Sequence, residues 1–361
     1  MKLGLVAMPM SSRQQSLAET YAELADRVVL ADSLGYHEVF MGEHFTSSNM
    51  PVASPLILLA TLINQTRHIR LGTGVVGLPY HHPAIVASEL AQFDHLSGGR
   101  LNFGFGPGGL LSDMELFGVV DESQRSRAMF ASLKSILELW EAEAPFTLAG
   151  SGESFGVQEH ANSDLGVGNP LRPLQAPHPP IFVTAMSPQS SSVRRAVEEG
   201  WSPISAHFCS TAVLKSHGEI IAETASAQGR QADYSAWRVA RHIVVRASDA
   251  EAEDVALNPL GITSFAIERM WQMLLGGDLG HVMKPDLSQR DDEVSLEALI
   301  KSTVMFGSPK TVAEKIHSLR GDVGSFGHLL LAVVDGNETD NRIERETMEL
   351  LIRDVLPQVR H

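Results

Sequence analysis

The chain holds a single cysteine, Cys209, in 361 residues. No disulfide can close within it, which points to a reducing compartment, the cytoplasm. Basic residues are also scarce: 28 Lys and Arg stand against 43 Asp and Glu, a formal net charge of −15. A protein that grips nucleic acid by its phosphates needs a basic face, so no nucleic-acid partner is expected. No run approaches the roughly 18 apolar residues of a membrane helix, so no membrane partner is expected either. The opening Met1 to Met8 is too short for a signal-peptide core and reaches Pro9 at once; it reads as a buried first strand. Metal-ligand patterns are missing: His81 and His82 are adjacent and point apart on a strand, and no Cys₂His₂, HExxH or facial-triad spacing occurs. The GxSxG pattern of a serine nucleophile is absent too.

What is present is alternation. Apolar, strand-like segments fall at 3–8, 37–41, 69–76, 101–106, 181–184, 201–206, 239–245 and 328–334. Helical periodicity separates many of them. Residues 15–34 set Leu17, Tyr21, Leu24, Val28 and Ala31 on one face and end at Gly35. A helix is expected around 55–66, another opens at Pro83, and residues 123–142 repeat Met129, Leu133, Ile136 and Trp140. Further helices are expected at 188–199 and 341–356. Eight strand–helix units predict an α/β fold, a (β/α)₈ TIM barrel forming one domain over 1–361, a length within the range of such barrels. The alternative is a doubly wound open sheet. Two stretches without clean periodicity, 145–178 and 258–305, read as insertions after strands four and seven, the first containing a hairpin.

Chemistry is expected at the C-terminal ends of barrel strands. There, Phe40-Met41-Gly42-Glu43-His44 ends an apolar run in a carboxylate and an imidazole, a group that titrates near neutral pH. Gly72, Gly74 and Gly77 end the third strand, and Gly104, Gly106 and Pro107 the fourth. Such glycines permit either a flat ligand against the backbone or close packing of the chain on itself. They form no dinucleotide fingerprint, because Pro107 blocks a helix start of the required form. The fifth strand runs into Ala185-Met186-Ser187-Pro188-Gln189-Ser190, a helix entry that suits a phosphate or simple capping by Ser187 with Pro188 at the first helical position. Arg125 is the candidate cation for that phosphate.

Taken together, Gly42-Glu43-His44, the stretch Leu71 to Pro83, Asp94 to Gly104, Arg172 to Ile181 and Phe306 to Lys315 resemble the bacterial luciferase-like flavin monooxygenases, in particular their limonene monooxygenase-like branch. The resemblance spans nearly the whole chain. It implies an enzyme that takes reduced FMN, with FAD as the alternative, from a separate flavin reductase, binds O₂, and oxygenates a small apolar substrate (a terpene, ketone or aromatic) through a flavin hydroperoxide. It implies His44 as the catalytic histidine, Gly74-Val75 as a non-proline cis step against the flavin ring, Gly106 and Pro107 beside that ring, and Arg125, Ser187 and Ser190 near the phosphate, with Ala185 and Met186 leading into that turn. Met8, Phe45, Leu110 and Leu111 are candidates for the substrate pocket. The 258–305 insertion, with Met270, Trp271, Met273 and Leu274, is expected as a lid or as part of a homodimer. Luciferase itself carries a second histidine where Phe45 stands, a cysteine where Gly106 stands and an acidic residue where Met186 stands, which argues against a light emitter. Two other readings fit the same barrel: a deazaflavin-dependent hydride-transfer enzyme, and a flavin-binding protein without catalysis.

Overall fold

Eight parallel strands close on themselves in this computed structural model, which describes residues 1–7, 16–150, 152–334 and 338–359. They are β1 (Lys2–Ala7), β2 (Glu38–Met41), β3 (Arg70–Thr73), β4 (Leu101–Gly106), β5 (Ile181–Ala185), β6 (Ser202–Ser205), β7 (Arg238–Val245) and β8 (His328–Val333). Each pairs with its neighbours in order, and β8 pairs back onto β1, so the sheet is a closed barrel and not an open one. All eight expected strands form. Around them run α1 (Leu17–Leu34), α2 (Pro55–Leu62), α3 (Pro83–Leu96), α4 (Glu122–Glu141), α5 (Ser191–Glu199), α6 (Thr211–Ala227), α7 (Pro309–Val323) and α8 (Glu338–Leu350). Local signals set their ends. Ser16 and Glu19 cap α1 reciprocally, and Gly35 ends it at φ 84°. His82 caps α3 ahead of Pro83. The start of α5 differs from expectation: Ser190, not Ser187, is its cap, accepting from the Val193 N–H, because Gln189 adopts φ 54° and delays the first helical turn. Among the described residues, no helix is long and apolar enough to cross a membrane. Met8 lies outside the described residues.

Alternate residues face the barrel axis. At the lower end, Glu38 is fully buried, and its carboxylate accepts from Arg238 Nε and Nη2 (3.1 Å each), Asn102 Nδ2 (3.0 Å) and His328 Nδ1 (2.6 Å). Burial alone would raise this carboxyl's pKa; the bonds from His328 and Arg238 outweigh it and pull it down to about 2. One level up, Phe40 and Phe182 meet edge to face at 5.0 Å among Val6, Ile204, Ala240 and Leu330. These rings fit because glycines face them: a Cβ on Gly72 would lie 2.6 Å from the Phe40 ring.

The first irregular stretch leaves the end of α4 and contains the expected hairpin, Phe146–Leu148 with Phe155–Val157. It lies along the outside of α3 and α4. There the Ser135 hydroxyl donates to Ala149 O (2.7 Å), Phe155 packs on His82, and Gln175 Nε2 donates to Asp94 (2.7 Å). The second follows β7. The first half of β7 pairs with β8, while its second half pairs with an extra strand, Val304–Gly307. Between them, helices Asp249–Ala256, Ile262–Gly276 and Leu296–Thr303 enclose a small core of their own, in which Met270, Trp271 and Leu274 are buried with Val244 and Met283. Met273 is 39% exposed. Ile262 and Ala266 of the middle helix pack on Met50, Leu110 and Val334, so this insertion roofs the ends of β2 and β8.

Gly104 lies where β4 crosses under β3. Its N–H donates to Thr73 Oγ1 (2.9 Å), that hydroxyl donates to Gly104 O (2.7 Å), and a Cβ here would overlap the Thr73 carbonyl oxygen. Gly104→Ala is therefore expected to cost at least about 2 kcal/mol in chemical denaturation, the scale of core overpacking; a variant as stable as the parent would contradict the barrel packing described.

Candidate active site

His44 follows β2 in a loop whose backbone is pinned twice. The His44 N–H donates to Val52 O (2.7 Å), and the next two amides, of Phe45 (3.1 Å) and Thr46 (2.8 Å), donate to Asp113 Oδ1. The Thr46 hydroxyl donates to the same oxygen (2.5 Å). The other carboxylate oxygen of Asp113 lies 3.6 Å from His44 Nδ1, too long for a hydrogen bond but within ion-pair range. Asp113 is buried, which favours its neutral form, yet the nearby His44 imidazole and the bonds from Thr46 and Phe45 prevail and hold its pKa below the ordinary value. It is anionic at neutral pH and faces an imidazole. Asp113 was not anticipated: it sits in a six-residue helix, Leu111–Leu116, within a stretch read as loop.

Glu43 turns the other way. Its carboxylate accepts the Gly77 N–H (2.8 Å) and meets His81 Nε2 at 3.0 Å. Adjacent His82 instead caps α3, so the two histidines do separate work. Between the ends of β2 and β3, the Gly74–Val75 peptide is cis, as expected. Gly106 lets Val75 approach: a Cβ there would sit 2.8 Å from Val75 Cγ2. Gly108, at φ 90°, leaves room for the Tyr80 hydroxyl. These glycines thus serve close packing of the chain at the strand ends.

An aromatic group rims the site. Tyr80 stacks on Phe117 at 4.9 Å, and Phe45 meets both edge-on. Burial, then the carboxylates of Asp113 and Glu43, push the Tyr80 phenol up to about 12, with the Arg125 cation opposing. Arg125, on the first turn of α4, donates to the carbonyls of Val119 (3.1 Å) and Val120 (2.9 Å). Three buried polar atoms in this neighbourhood have no hydrogen-bond partner among the described residues: His44 Nδ1, the Tyr80 hydroxyl and Arg125 Nε. Such atoms are rare in folded proteins and mark places where a ligand completes the bonding. Leu110 is half-buried against the roofing helix, whereas Leu111 is 54% exposed.

The β5 turn is held from below. His217 Nε2 lies 2.9 Å from Ser187 O, its Nδ1 lies 2.8 Å from Ser205 Oγ, and that hydroxyl accepts from Trp237 Nε1 (2.8 Å). Cys209 Sγ donates to Met186 O (3.4 Å). The carbonyls of this turn are thus committed to the core, and Ser190 caps α5 above them. Among the described residues, one group of side chains is close enough to hold a metal ion: His37, Glu38 and His328, at the opposite end of the barrel. There the Glu38 oxygens are already taken by Arg238, Asn102 and His328.

The family model for luciferase-like monooxygenases matches residues 1–325. The chain belongs to this family. Its relatives include 4-hydroxyprotoasukamycin monooxygenase of Streptomyces nodosus subsp. asukaensis, 32% identical over 335 residues that cover 91% of this chain and 84% of that one. Limonene 1,2-monooxygenase of Rhodococcus erythropolis is 27% identical, over 90% of this chain and 78% of the relative. Among solved structures, the oxygenating constituent of 3,6-diketocamphane monooxygenase from Pseudomonas putida, a type II Baeyer–Villiger monooxygenase in complex with FMN, matches with a TM-score of 0.88 and 25% identity over 99% of both chains. In this luciferase-like monooxygenase the cis step, the histidine after β2 and the serine turn after β5 therefore stand on a barrel that superposes throughout on a flavin-bound one.

Two measurements check the site's architecture. Asp113→Ala removes the acceptor of the Phe45 and Thr46 amides; bonds to a charged group are worth about 1.5–3 kcal/mol, so exchange of those two amides with deuterium should quicken by roughly 10- to 100-fold. Unchanged protection would separate Asp113 from the His44 loop. Burial, opposed at His217 by the Ser187 carbonyl and aided at His242 by Arg241, pulls both imidazole pKa values down to about 4. Neither costs stability above the unfolded value of about 6.5; as pH falls from there toward 4 the unfolded chain takes up protons that the folded chain refuses. Unfolding free energy should then drop between pH 7 and pH 5, by on the order of 2 kcal/mol for each such imidazole. A flat profile in denaturant titrations across that range would show that these histidines are not buried as neutral groups.

Proposed function

We propose that this chain is the oxygenase component of a two-component system that uses reduced FMN and O₂ to place one oxygen atom in a small apolar substrate. The observation that carries this reading is the match to an FMN-bound oxygenating constituent over 99% of both chains. The unpartnered Tyr80 hydroxyl and Arg125 Nε, with the cis Gly74–Val75 step and a histidine whose Nδ1 faces Asp113, support it: the strand ends offer polar groups to a ligand. When bound, reduced flavin supplies the electrons and the oxygen chemistry.

The chain's own residues supply the setting. Gly74, Val75, Gly106 and Pro107 seat the ring. Arg125, with Ala185, Met186, Ser187 and Ser190 at the entry to α5, holds the phosphate; a single phosphate suits this short turn, and so FMN over FAD. His44, backed by the anionic Asp113, holds or moves a proton at Nδ1 or Nε2 beside the reacting centre. Phe45, Leu110 and Leu111 line an apolar space for the substrate, and the helix Ile262–Gly276 keeps water from it. A separate reductase delivers the reduced cofactor, as the term oxygenating constituent implies for the relative. The exposed Ile57 of α2 and Ile85 of α3 suit a homodimer, and the free, buried Cys209 suits the cytoplasm. The deazaflavin alternative requires free cations for a longer acidic tail. Arg195 is instead paired with Glu199 (2.7 Å), and Arg194 reaches Thr224 Oγ1 (3.5 Å).

The test supplies photoreduced FMN and ¹⁸O₂ to the purified chain with a panel of apolar terpenes, ketones and aromatics. One labelled oxygen per product molecule is expected, and consumption of reduced FMN without any labelled product across the panel would overturn the proposal. His44→Ala should lower product per reduced FMN by about 100-fold, the lower range for positioned acid–base groups, while FMN affinity stays within about threefold. Wild-type yield in that variant would remove His44 from the chemistry.

A further inference from the structure

Four Lys and Arg side chains are buried among the described residues. Three of them meet a carboxylate: Arg27 pairs with Glu344, Arg238 with Glu38 and Lys284 with Asp291. Arg241 on β7, only 2% exposed, pairs with no carboxylate among the described residues. Its Nη1 donates to the carbonyls of His207 and Ala240 (3.4 Å each, long for such bonds), and its Nη2 is buried without a partner. Burial draws this guanidinium's pKa down to about 10, which still leaves it charged at neutral pH. A charge taken out of water is costly unless an opposite charge meets it. Arg241 is thus a cation that lacks its counter-charge.

Its position suggests what that counter-charge is. Arg241 pairs with Leu331, one step beyond Ala240 and Leu330, whose side chains fill the barrel centre; its own side chain therefore points outward, under the helices. There the loop after β6 stands between it and the β5 turn. That loop is bonded on both sides. His207 O accepts from Arg241, while the Ala206 N–H donates to Ala185 O (3.0 Å) and Cys209 Sγ to Met186 O (3.4 Å). The Arg241 charge is felt at the Cys209 thiol, where it opposes the burial that pushes the thiol up to about 12. In a trans peptide the carbonyl and the following N–H point in opposite directions. With the carbonyls of Ala185 and Met186 turned to the core, the N–H groups of Met186 and Ser187 turn away from it. An anion held by those amides has the Arg241 cation behind it, one loop away. Charges separated by protein interior are screened far less than charges across water, so the attraction persists over that gap.

We propose that Arg241 is the counter-charge of a phosphate seated at the β5 turn, and that it acts on it through the β6 loop without touching it. This rests on the reading of that turn as the seat of the FMN phosphate, and adds a second, buried cation to Arg125. A phosphate monoester carries about two negative charges at neutral pH, and binding it completes a pair that the protein alone leaves open. Arg241 is in this sense a positioning residue. It sets how firmly the phosphate end is held and has no part in events at the ring. The same arrangement separates FMN from riboflavin, which has the ring but no phosphate.

The test needs no turnover. Dissociation constants of oxidised FMN and of riboflavin are measured for the full chain and for three variants, each checked for folding by near-UV circular dichroism. Arg241→Gln keeps N–H donors for the two carbonyls, Arg241→Met keeps the bulk, and Arg241→Lys keeps the charge. Both neutral variants should lower the preference for FMN over riboflavin by fivefold or more, and the lysine variant should hold it within threefold of the parent. In ³¹P spectra, the second ionisation of bound FMN should move to higher pH in the neutral variants, since a cation favours the dianion. A smaller drop in preference, an equal loss for both flavins or an unmoved ionisation would make Arg241 a prop for the loop and overturn the proposal. So would a chain that folds with neither neutral side chain. A parent chain that binds neither flavin would overturn the flavin reading itself; a parent preference that outlives the charge overturns this proposal alone.

Discussion

A carboxylate buried at the bottom of the barrel organises the rest. Glu38 on β2 accepts bonds from Arg238 on β7, His328 on β8 and Asn102 on β4, and so ties strands from opposite walls through one side chain. A charge removed from water is tolerated only when it is paired and bonded, and these partners meet only if the barrel closes in the observed register. The Arg238 guanidinium in turn lies over the Phe182 ring at 4.6 Å, which links the polar floor to the apolar layer above. Phe40 and Phe182 fill that layer against inward-facing glycines, so the barrel has a packed centre and its chemistry is confined to the top.

Once the floor and the middle layer are set, the strand ends have few freedoms left. Gly104 under Thr73 and Gly106 beside Val75 bring β3 and β4 close, and the cis step falls at that crowded junction. Glu43 and Asp113 then work as opposed anchors: one ties the end of β2 to the segment after β3, the other ties the following loop to the short helix after β4. His44 stands between them, held by backbone bonds on both sides. The β5 turn is fixed by a different device, a buried run from Trp237 through Ser205 and His217 to Ser187 O. A site whose loops are tied to the core in this way is organised before any ligand arrives, which lowers the ordering cost of binding.

Much of this was legible along the chain. The eight strands showed as apolar runs because parallel strands are buried on both faces, and the end of α1 and the start of α3 showed as Gly35 and Pro83. His44, the glycine pairs and the serine turn were visible as residues whose chemistry exceeds what a strand end needs. The failures were also physical. Ser187 looked like a cap because a Ser-Pro pair is a good helix start, but Gln189 takes a left-handed conformation that no pattern announces. The helix around Asp113 is too short to show a period. The extra strand Val304–Gly307 borrows its partner from the upper half of β7, a pairing between segments some sixty residues apart.

By itself, then, the order of residues determined the barrel, the polarity of its strand ends and the type of chemistry that such ends can hold, because burial, capping and backbone conformation act on neighbours in the chain. Only the tertiary structure decided which polar groups are left without partners. That Asp113 faces His44, that Glu43 takes His81, and that the Tyr80 hydroxyl is left without a partner depends on closing the sheet, which brings together side chains that share no local pattern. A hydrogen bond or an ion pair forms through space, and its partner is chosen by the fold.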